Sequence, residues 1–312
     1  MIKRHNYSIK LQEVTIRGYK SISYNYPVSL ELGNINILLG ANGAGKSNII
    51  SFFRMLSYMM SRSFEMYVEM AGTSHCLLHY GTKRTPGISA EIKFADENSV
   101  DTYQFALSKA SPDRLIITEE NISWLRKGED KPFQLNFEPN FKESSLVDST
   151  NRTAKAIYKM LSFCKVYQFH DSSEEGPLRQ PCPVETSNYL QAHGNNLPSF
   201  LFFLKNNYEE SYKRIIDYVS DVIPQFQDFY LEPVGKNISL RWTEKSVNDY
   251  VFNSYQLSDG SIRFIALATL LLQPAETMPS VIIIDEPELG LHPYAVSQLA
   301  EMIKEASIHS QR

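Results

Sequence analysis

The chain has 312 residues, enough for one large domain or two modest ones. Hydrophobic residues make up 43% and charged residues 21%, the balance of a soluble globular protein with a sizeable core. The net charge of −4 excludes a global pull towards nucleic acid, so any such contact needs a local basic patch.

In chain order, the opening Met1-Ile2-Lys3-Arg4-His5 lacks the apolar segment of a secretory leader. Residues 12 to 17 and 27 to 32 alternate apolar and polar side chains, which predicts two half-buried antiparallel strands. Between them lies Gly18-Tyr19-Lys20-Ser21-Ile22. Lys20 reads equally as a neighbour of bound phosphate or as a lone surface lysine. The run Ile35-Asn36-Ile37-Leu38-Leu39 predicts a buried strand, and Asn48 to Met60 a helix.

Gly40-Ala41-Asn42-Gly43-Ala44-Gly45-Lys46-Ser47 falls between those two elements. It has four residues between two glycines, then Lys-Ser, which is the phosphate-loop spacing in its strand–turn–helix context. Glycines let the backbone wrap a phosphate closely, and the free N–H groups of a helix N-terminus favour negative charge. Lys46 is the candidate for the β- and γ-phosphates, Ser47 for Mg²⁺, and Asn48 for the edge of the same nucleotide site.

Residues 62 to 86 read as irregular. Their His75-Cys76-Leu77-Leu78-His79 cluster lacks the further ligands a zinc site needs. Alternation returns from Ile88 to Leu135 and predicts a meander of short strands, packed beside the nucleotide-binding sheet. Glu143 to Thr153 reads as a flexible loop, Ala154 to Phe163 as a helix, and Lys165 to His170 as a short strand. Near that strand's end, Gln168 or His170 reads either as a sensor of γ-phosphate or Mg²⁺ or as an ordinary strand residue.

Asp171 to Val184 holds three prolines and reads as a linker or mobile loop. Leu197 to Leu204 and Tyr208 to Val222 read as helices, the second amphipathic through Tyr212, Ile215, Ile216, Val219 and Val222. Phe226 to Leu231, Ile238 to Trp242 and Asp249 to Phe252 read as strands.

Gln256-Leu257-Ser258-Asp259-Gly260-Ser261 then precedes a helix over Ile262 to Leu272. Ser258 and Asp259 are good N-cap residues. They also suit a second phosphate cradle, most useful over the γ-phosphate held by a partner subunit. Val281-Ile282-Ile283-Ile284 predicts a fully buried parallel strand ending in Asp285 and Glu286. Ligands of open α/β sheets bind outside the carboxyl ends of strands, so Asp285 is the candidate for Mg²⁺. Glu286, one residue further out, is the candidate base for an attacking water. A last helix spans Tyr294 to Ser307.

No apolar run approaches the roughly 18 residues of a membrane span. Cys76, Cys164 and Cys182 lie far apart, a reduced, cytoplasmic pattern and not a disulfide framework.

The loop Gly40 to Ser47, Leu257-Ser258-Asp259-Gly260, and Asp285-Glu286-Pro287-Glu288-Leu289-Gly290-Leu291-His292-Pro293 occur in that order. Together they resemble the ATP-binding-cassette ATPase heads of the SMC, RecF and OLD group. The opening Ile16-Arg17-Gly18-Tyr19-Lys20-Ser21-Ile22 is similar to that group's N-terminal strand motif, whose basic residue lies near the phosphates. The resemblance implies an α/β fold: a P-loop NTPase, ABC-ATPase-like core sheet with an antiparallel β subdomain and a small helical insertion. The corresponding domain division is 1–170, 171–224 and 225–312.

The resemblance also implies ATP and Mg²⁺ as ligands, with a homodimer or higher homo-oligomer closing head-to-tail around two ATPs. Slow hydrolysis would reopen it. It further implies work on DNA or in defence against phage, with a separate effector or nuclease protein and without a membrane. A nucleotide-gated scaffold with negligible turnover is the alternative. Three departures stand out. The signature reads Ser258-Asp259-Gly260-Ser261, there is no long coiled coil, and the chain reaches Arg312 before the expected switch strand. Without that strand, hydrolysis by these 312 residues is expected to be impaired.

Overall fold

The computed structural model describes residues 9–186 and 188–309. The reading of residues 1 to 5 lies outside them. The chain divides into two compact units. The first runs to Lys165 and takes in Ser280–Ile283; the second holds Val166–Pro279 and the stretch from Ile284 onward.

The first unit is built on one antiparallel sheet. Its strands are β1 (Lys10–Arg17), β2 (Val28–Glu31), β3 (Gly87–Ala95), β4 (Ser99–Ala110), β5 (Arg114–Arg126) and β6 (Phe133–Asn136), in the order β2-β1-β3-β4-β5-β6. The expected first two strands and the meander are thus a single sheet, because β1 pairs with β3 directly. Period-two alternation places Asp101, Tyr103, Phe105 and Leu107 of β4 on the buried face. Within the expected meander of short strands, residues 114 to 126 form one long β5, with a bulge taken up opposite Ala106 and Leu107.

Helices α1 (Lys46–Met60), α2 (Phe64–Met70), α3 (Thr73–Leu77) and α4 (Arg152–Ser162) complete this unit. Two of them occupy the stretch expected to be irregular. The ring of Phe52 on α1 stacks on Phe105 at 6.4 Å between centroids and meets Tyr19 edge-on at 5.7 Å. The segment expected to be a flexible loop is pinned. Glu120, buried in the sheet, accepts from Ser144 Oγ at 2.5 Å and from the Ser145 amide at 2.7 Å.

Ile35–Leu39 is not a strand, and its side chains are exposed, with Ile37 at 76% and Leu39 at 88%. Among the described residues no ladder pairs with it. Its neighbourhood makes a local bond set instead. The Asn36 amide oxygen accepts from the Gly33 N–H at 2.8 Å, and its nitrogen donates to Gly33 O at 2.9 Å. Such side-chain bonds compete with ladder bonds, and the apolar pattern alone cannot supply a pairing partner.

A short two-stranded ladder joins β7 (Cys164–Tyr167) to a strand near the chain's end. In the second unit follow β8 (Cys182–Pro183), α5 (Leu197–Asn207), α6 (Glu209–Val222), β9 (Phe226–Phe229), β10 (Asn237–Ile238), β11 (Arg241–Glu244) and β12 (Val247–Asn253). Then come α7 (Asp259–Leu271), β13 (Val281–Ile284) and α8 (Pro293–His309). Helix α7 is buried on every side, through Ile262, Phe264, Ile265, Leu267 and Leu270, as an all-round apolar helix must be. Helices α5, α6 and α8 pack against it, α6 through the buried stripe of Tyr212, Ile215 and Val219.

The stretch expected as a mobile linker is packed, with Ser172, Leu178, Arg179 and Cys182 all buried. Strand β13 pairs with β7. The two run parallel, since Ser280 N donates to Phe163 O and Asp285 N to Tyr167 O. The strand is only half-buried along its length, against the expectation of full burial. Among the described residues, no helix is long and apolar enough to cross a membrane.

Candidate functional site

The candidate phosphate loop, Gly40 to Ser47, lies wholly in the first unit. Gly43 and Gly45 adopt left-handed backbone conformations, at φ 82 and 98. A side chain is strained there, and glycine is not. Gly45 is also the N-cap of α1, and no side chain caps that helix. The first amides of α1 therefore keep their capacity for an outside acceptor. Lys46 bends back over the loop; its amine donates to the carbonyls of Gly40 and of Ala41, the latter at 3.1 Å. Gly40 to Ala44 and Ser47 are exposed, and Lys46 is half-buried. An ammonium, uncapped amides and an open hydroxyl together form a donor set suited to a polyphosphate.

The Gly18–Ile22 segment is fastened to the same helix. Tyr19 is buried, and its hydroxyl bonds to Ser51 Oγ at 3.1 Å and to the Tyr67 hydroxyl at 2.9 Å. Ser21 Oγ accepts from the Asn48 side chain at 2.6 Å. Asn48 thus faces this segment, and Ser21, given no role from sequence, braces the first turn of α1. Lys20 sits between them with φ 50, a conformation rarely taken by a residue with a side chain. Burial, and then the charge of Arg54, hold its amine below the usual lysine range. His79 Nδ1 lies 2.8 Å from Lys20 O, which gives the His75–His79 cluster a part in this packing.

The candidate carboxylates, Asp285 and Glu286, and the candidate signature turn, Ser258 to Gly260, lie in the second unit. Gln168 Nε2 donates to Asp285 Oδ2 at 2.8 Å, and His170 Nε2 lies 2.9 Å from Asp285 O. The two candidates near the end of β7 therefore both act on Asp285, one on its carboxylate and one on its backbone. Glu286 adopts φ 46. Holding a non-glycine residue there costs about 1–2 kcal/mol, and such strain concentrates where a side chain must be re-aimed.

The following turn closes through Leu289 N to Glu286 O and Leu291 N to Glu288 O, both at 3.1 Å. Arg263 of α7 ties it down, donating to Leu289 O at 3.1 Å and to His170 O at 2.5 Å. Gly260 and Gly290 come so close that a Cβ on Gly260 would lie 2.4 Å from Gly290 O.

Ser258 caps α7, accepting from Ser261 N at 3.1 Å with its Oγ 2.8 Å from Ser261 Oγ. Ser258 and Asp259 are exposed and Gly260 half-buried. Asp259 accepts from Arg179 at 2.9 Å. Arg179 and Arg263 carry no motif, and no sequence signal singles them out. The Ser47 hydroxyl in the first unit and the Asp285 carboxylate in the second are each a hard oxygen donor of the kind magnesium takes.

Residues 168–311 match the model of the AAA_21 family, described as "AAA domain, putative AbiEii toxin, Type IV TA system". No curated protein matches the sequence. Among solved structures, an SMC head bound to the C-winged-helix domain of ScpA is similar, with a TM-score of 0.61 and 15% identity. That similarity covers 96% of this chain and 87% of that one. An SMC head with an extended coiled coil, bound to the C-terminal domain of ScpA from Pyrococcus furiosus, gives a TM-score of 0.53 at 13% identity. It covers 96% and 87% of the two chains.

Proposed function

We propose that this chain, which has the fold of an ABC- and SMC-type ATPase head, is an ATP-driven association switch. The observation that carries the reading is the start of α1, where a left-handed glycine replaces a capping side chain and Lys46 arches over the loop. The loop amides of Gly40 to Ser47, with Lys46 and Asn48, take the phosphates, and Lys20 adds charge from the adjoining segment. Ser47 and Asp285 would hold Mg²⁺, Asp285 directly or through water. The ion supplies neutralisation of phosphate charge when bound.

Glu286 orients the attacking water and takes its proton. The water oxygen bonds to the γ-phosphorus, the bond to the β–γ bridging oxygen breaks, and ADP and phosphate result. Gln168 acts through Asp285. Ser258, Asp259 and Gly260 complete the site of a second copy, so two chains close head-to-tail around two ATPs and open after hydrolysis.

A separate effector or nuclease protein, in DNA metabolism or defence against phage, would read that cycle in the cytoplasm. The bound ScpA domains of the similar heads support a protein partner. The toxin–antitoxin wording of the family description supports defence.

Nucleotide titration and sedimentation test the reading. Lys46→Ala should weaken ATP binding by about a hundredfold or more, the loss of charge-assisted bonds to two phosphates. Glu286→Gln should keep ATP and accumulate as a dimer. A Glu286→Gln protein that binds ATP and stays monomeric would sink the association switch. Equal, negligible turnover in parent and variant would leave ATP as a clamp on a scaffold.

A further inference from the structure

Among the described residues, the nucleotide reading leaves one buried cation unused. The Arg179 side chain is 4% exposed. Its Nε donates to Ser172 O at 2.8 Å. One terminal nitrogen donates to Ser254 O; the other donates to Leu257 O at 3.1 Å and to Asp259 Oδ1 at 2.9 Å. Ser254 Oγ returns a bond to Arg179 O at 3.3 Å. A guanidinium has five donors in a rigid planar fork, and four here have named acceptors.

Three of those acceptors are backbone carbonyls. The only carboxylate, on Asp259, is 65% exposed. A buried cation with so weak a counter-charge contributes little to stability, and an apolar side chain of similar volume often serves stability better. What the fork imposes is geometry. It grips Ser254 and Leu257 on one side of Ser258 and Asp259 on the other.

We propose that Arg179 is the positioning residue of the signature turn: it fixes the backbone on both sides of Ser258 and so sets the direction of that hydroxyl. The inference rests on the reading of Ser258 to Gly260 as the face offered to a second copy's nucleotide. The same segment reaches the metal-site candidates, since Gln168 and His170 hold Asp285 while Ser172 O holds Arg179. A shift at Asp285 thus has a short route to the signature, through these hydrogen bonds and the chain from Gln168 to Ser172.

The test uses the full chain with Glu286→Gln, comparing Arg179→Lys and Arg179→Met with the parent. The first readout is amide exchange without nucleotide at Ser261 and Ile262, whose N–H groups bond to Ser258 Oγ and Ser258 O. The second is the protein concentration at which ATP half-dimerises each variant. The third is the affinity of the monomer for ATP.

Exchange at those two amides should rise about tenfold in Arg179→Lys, since a point charge cannot replace the fork. The dimerisation midpoint should rise about as much, with monomer affinity within about twofold. Unchanged exchange at both amides overturns the proposal. So does exchange raised equally across α5 to α8, which marks a purely structural role. If the Glu286→Gln parent fails to dimerise with ATP, the association switch fails instead, and the exchange pattern still decides for or against Arg179.

Discussion

The phosphate loop and the signature turn both sit at the start of a helix, and they are made in opposite ways. Helix α1 begins at a left-handed glycine with no side-chain cap. Helix α7 begins at Ser258, whose hydroxyl already accepts from Ser261 N. The first is contiguous backbone and carries its own lysine. The second is held from below by Arg179 and Arg263, which come from outside the motif or bond outside it. A contiguous loop needs only local conformation. A turn held by distant side chains can be loosened from elsewhere, as a switch requires.

The largest expected effect tests whether the loop is as self-contained as that contrast says. Phe52→Ala removes the ring that packs on Phe105 and Tyr19, and should cost about 3–5 kcal/mol of stability in denaturant melts. ATP affinity, measured cold where the variant is folded, should stay within about twofold, since the loop's bonds are its own. A parallel fall in affinity would break the contrast.

Next in size is Gly260→Ala. The added Cβ would lie 2.4 Å from Gly290 O, with backbone on both sides and nothing flexible to yield. Overpacking of this kind costs about 1–3 kcal/mol. Gly43→Ala is the matched control, since its Cβ would meet nothing within 4 Å and only φ 82 is strained. Dimerisation should fail first in the Gly260 variant and monomer ATP binding in the Gly43 variant. The reverse order would exchange the roles assigned to the two turns.

Gln168→Ala should raise the Mg²⁺ concentration needed for tight ATP binding by about tenfold, the usual scale for losing a partner that orients a metal ligand. His170 would still hold the backbone of Asp285. A Mg²⁺ titration indistinguishable from the parent would remove Gln168 from the site.

The same contrast explains what the sequence displays. Residues 40–47 are legible because their conformation is encoded by adjacent residues, glycines at the left-handed positions and lysine at the helix start. The antiparallel strands are legible through period-two burial, as along β4. Ile35–Leu39 misleads because its apolar side chains favour a strand, while a strand exists only with a partner. Arg179 and Arg263 are invisible because most of their acceptors are backbone carbonyls, which every residue presents alike. Gln168 lies between these cases. Its place near a strand end marks it out, and its bond to Asp285 needs the fold.

The smallest effect concerns a part of the loop's surroundings that is not local. The hydroxyls of Tyr19 and Tyr67 join Ser51 on α1, and Tyr67 also donates to Ser51 O at 3.0 Å. Tyr67→Phe removes that donor and leaves Tyr19 its bond to Ser51 Oγ. No buried polar group is orphaned on the Tyr19 side, so the cost should be about 0.5–1.5 kcal/mol. The urea midpoint should fall with an unchanged slope. Because Tyr19 positions Lys20 and Ser21, a small loss of ATP affinity in this variant, absent in Phe52→Ala, would assign Lys20 a phosphate role. Equal affinity in both variants would leave Lys20 as a packed residue beside the loop.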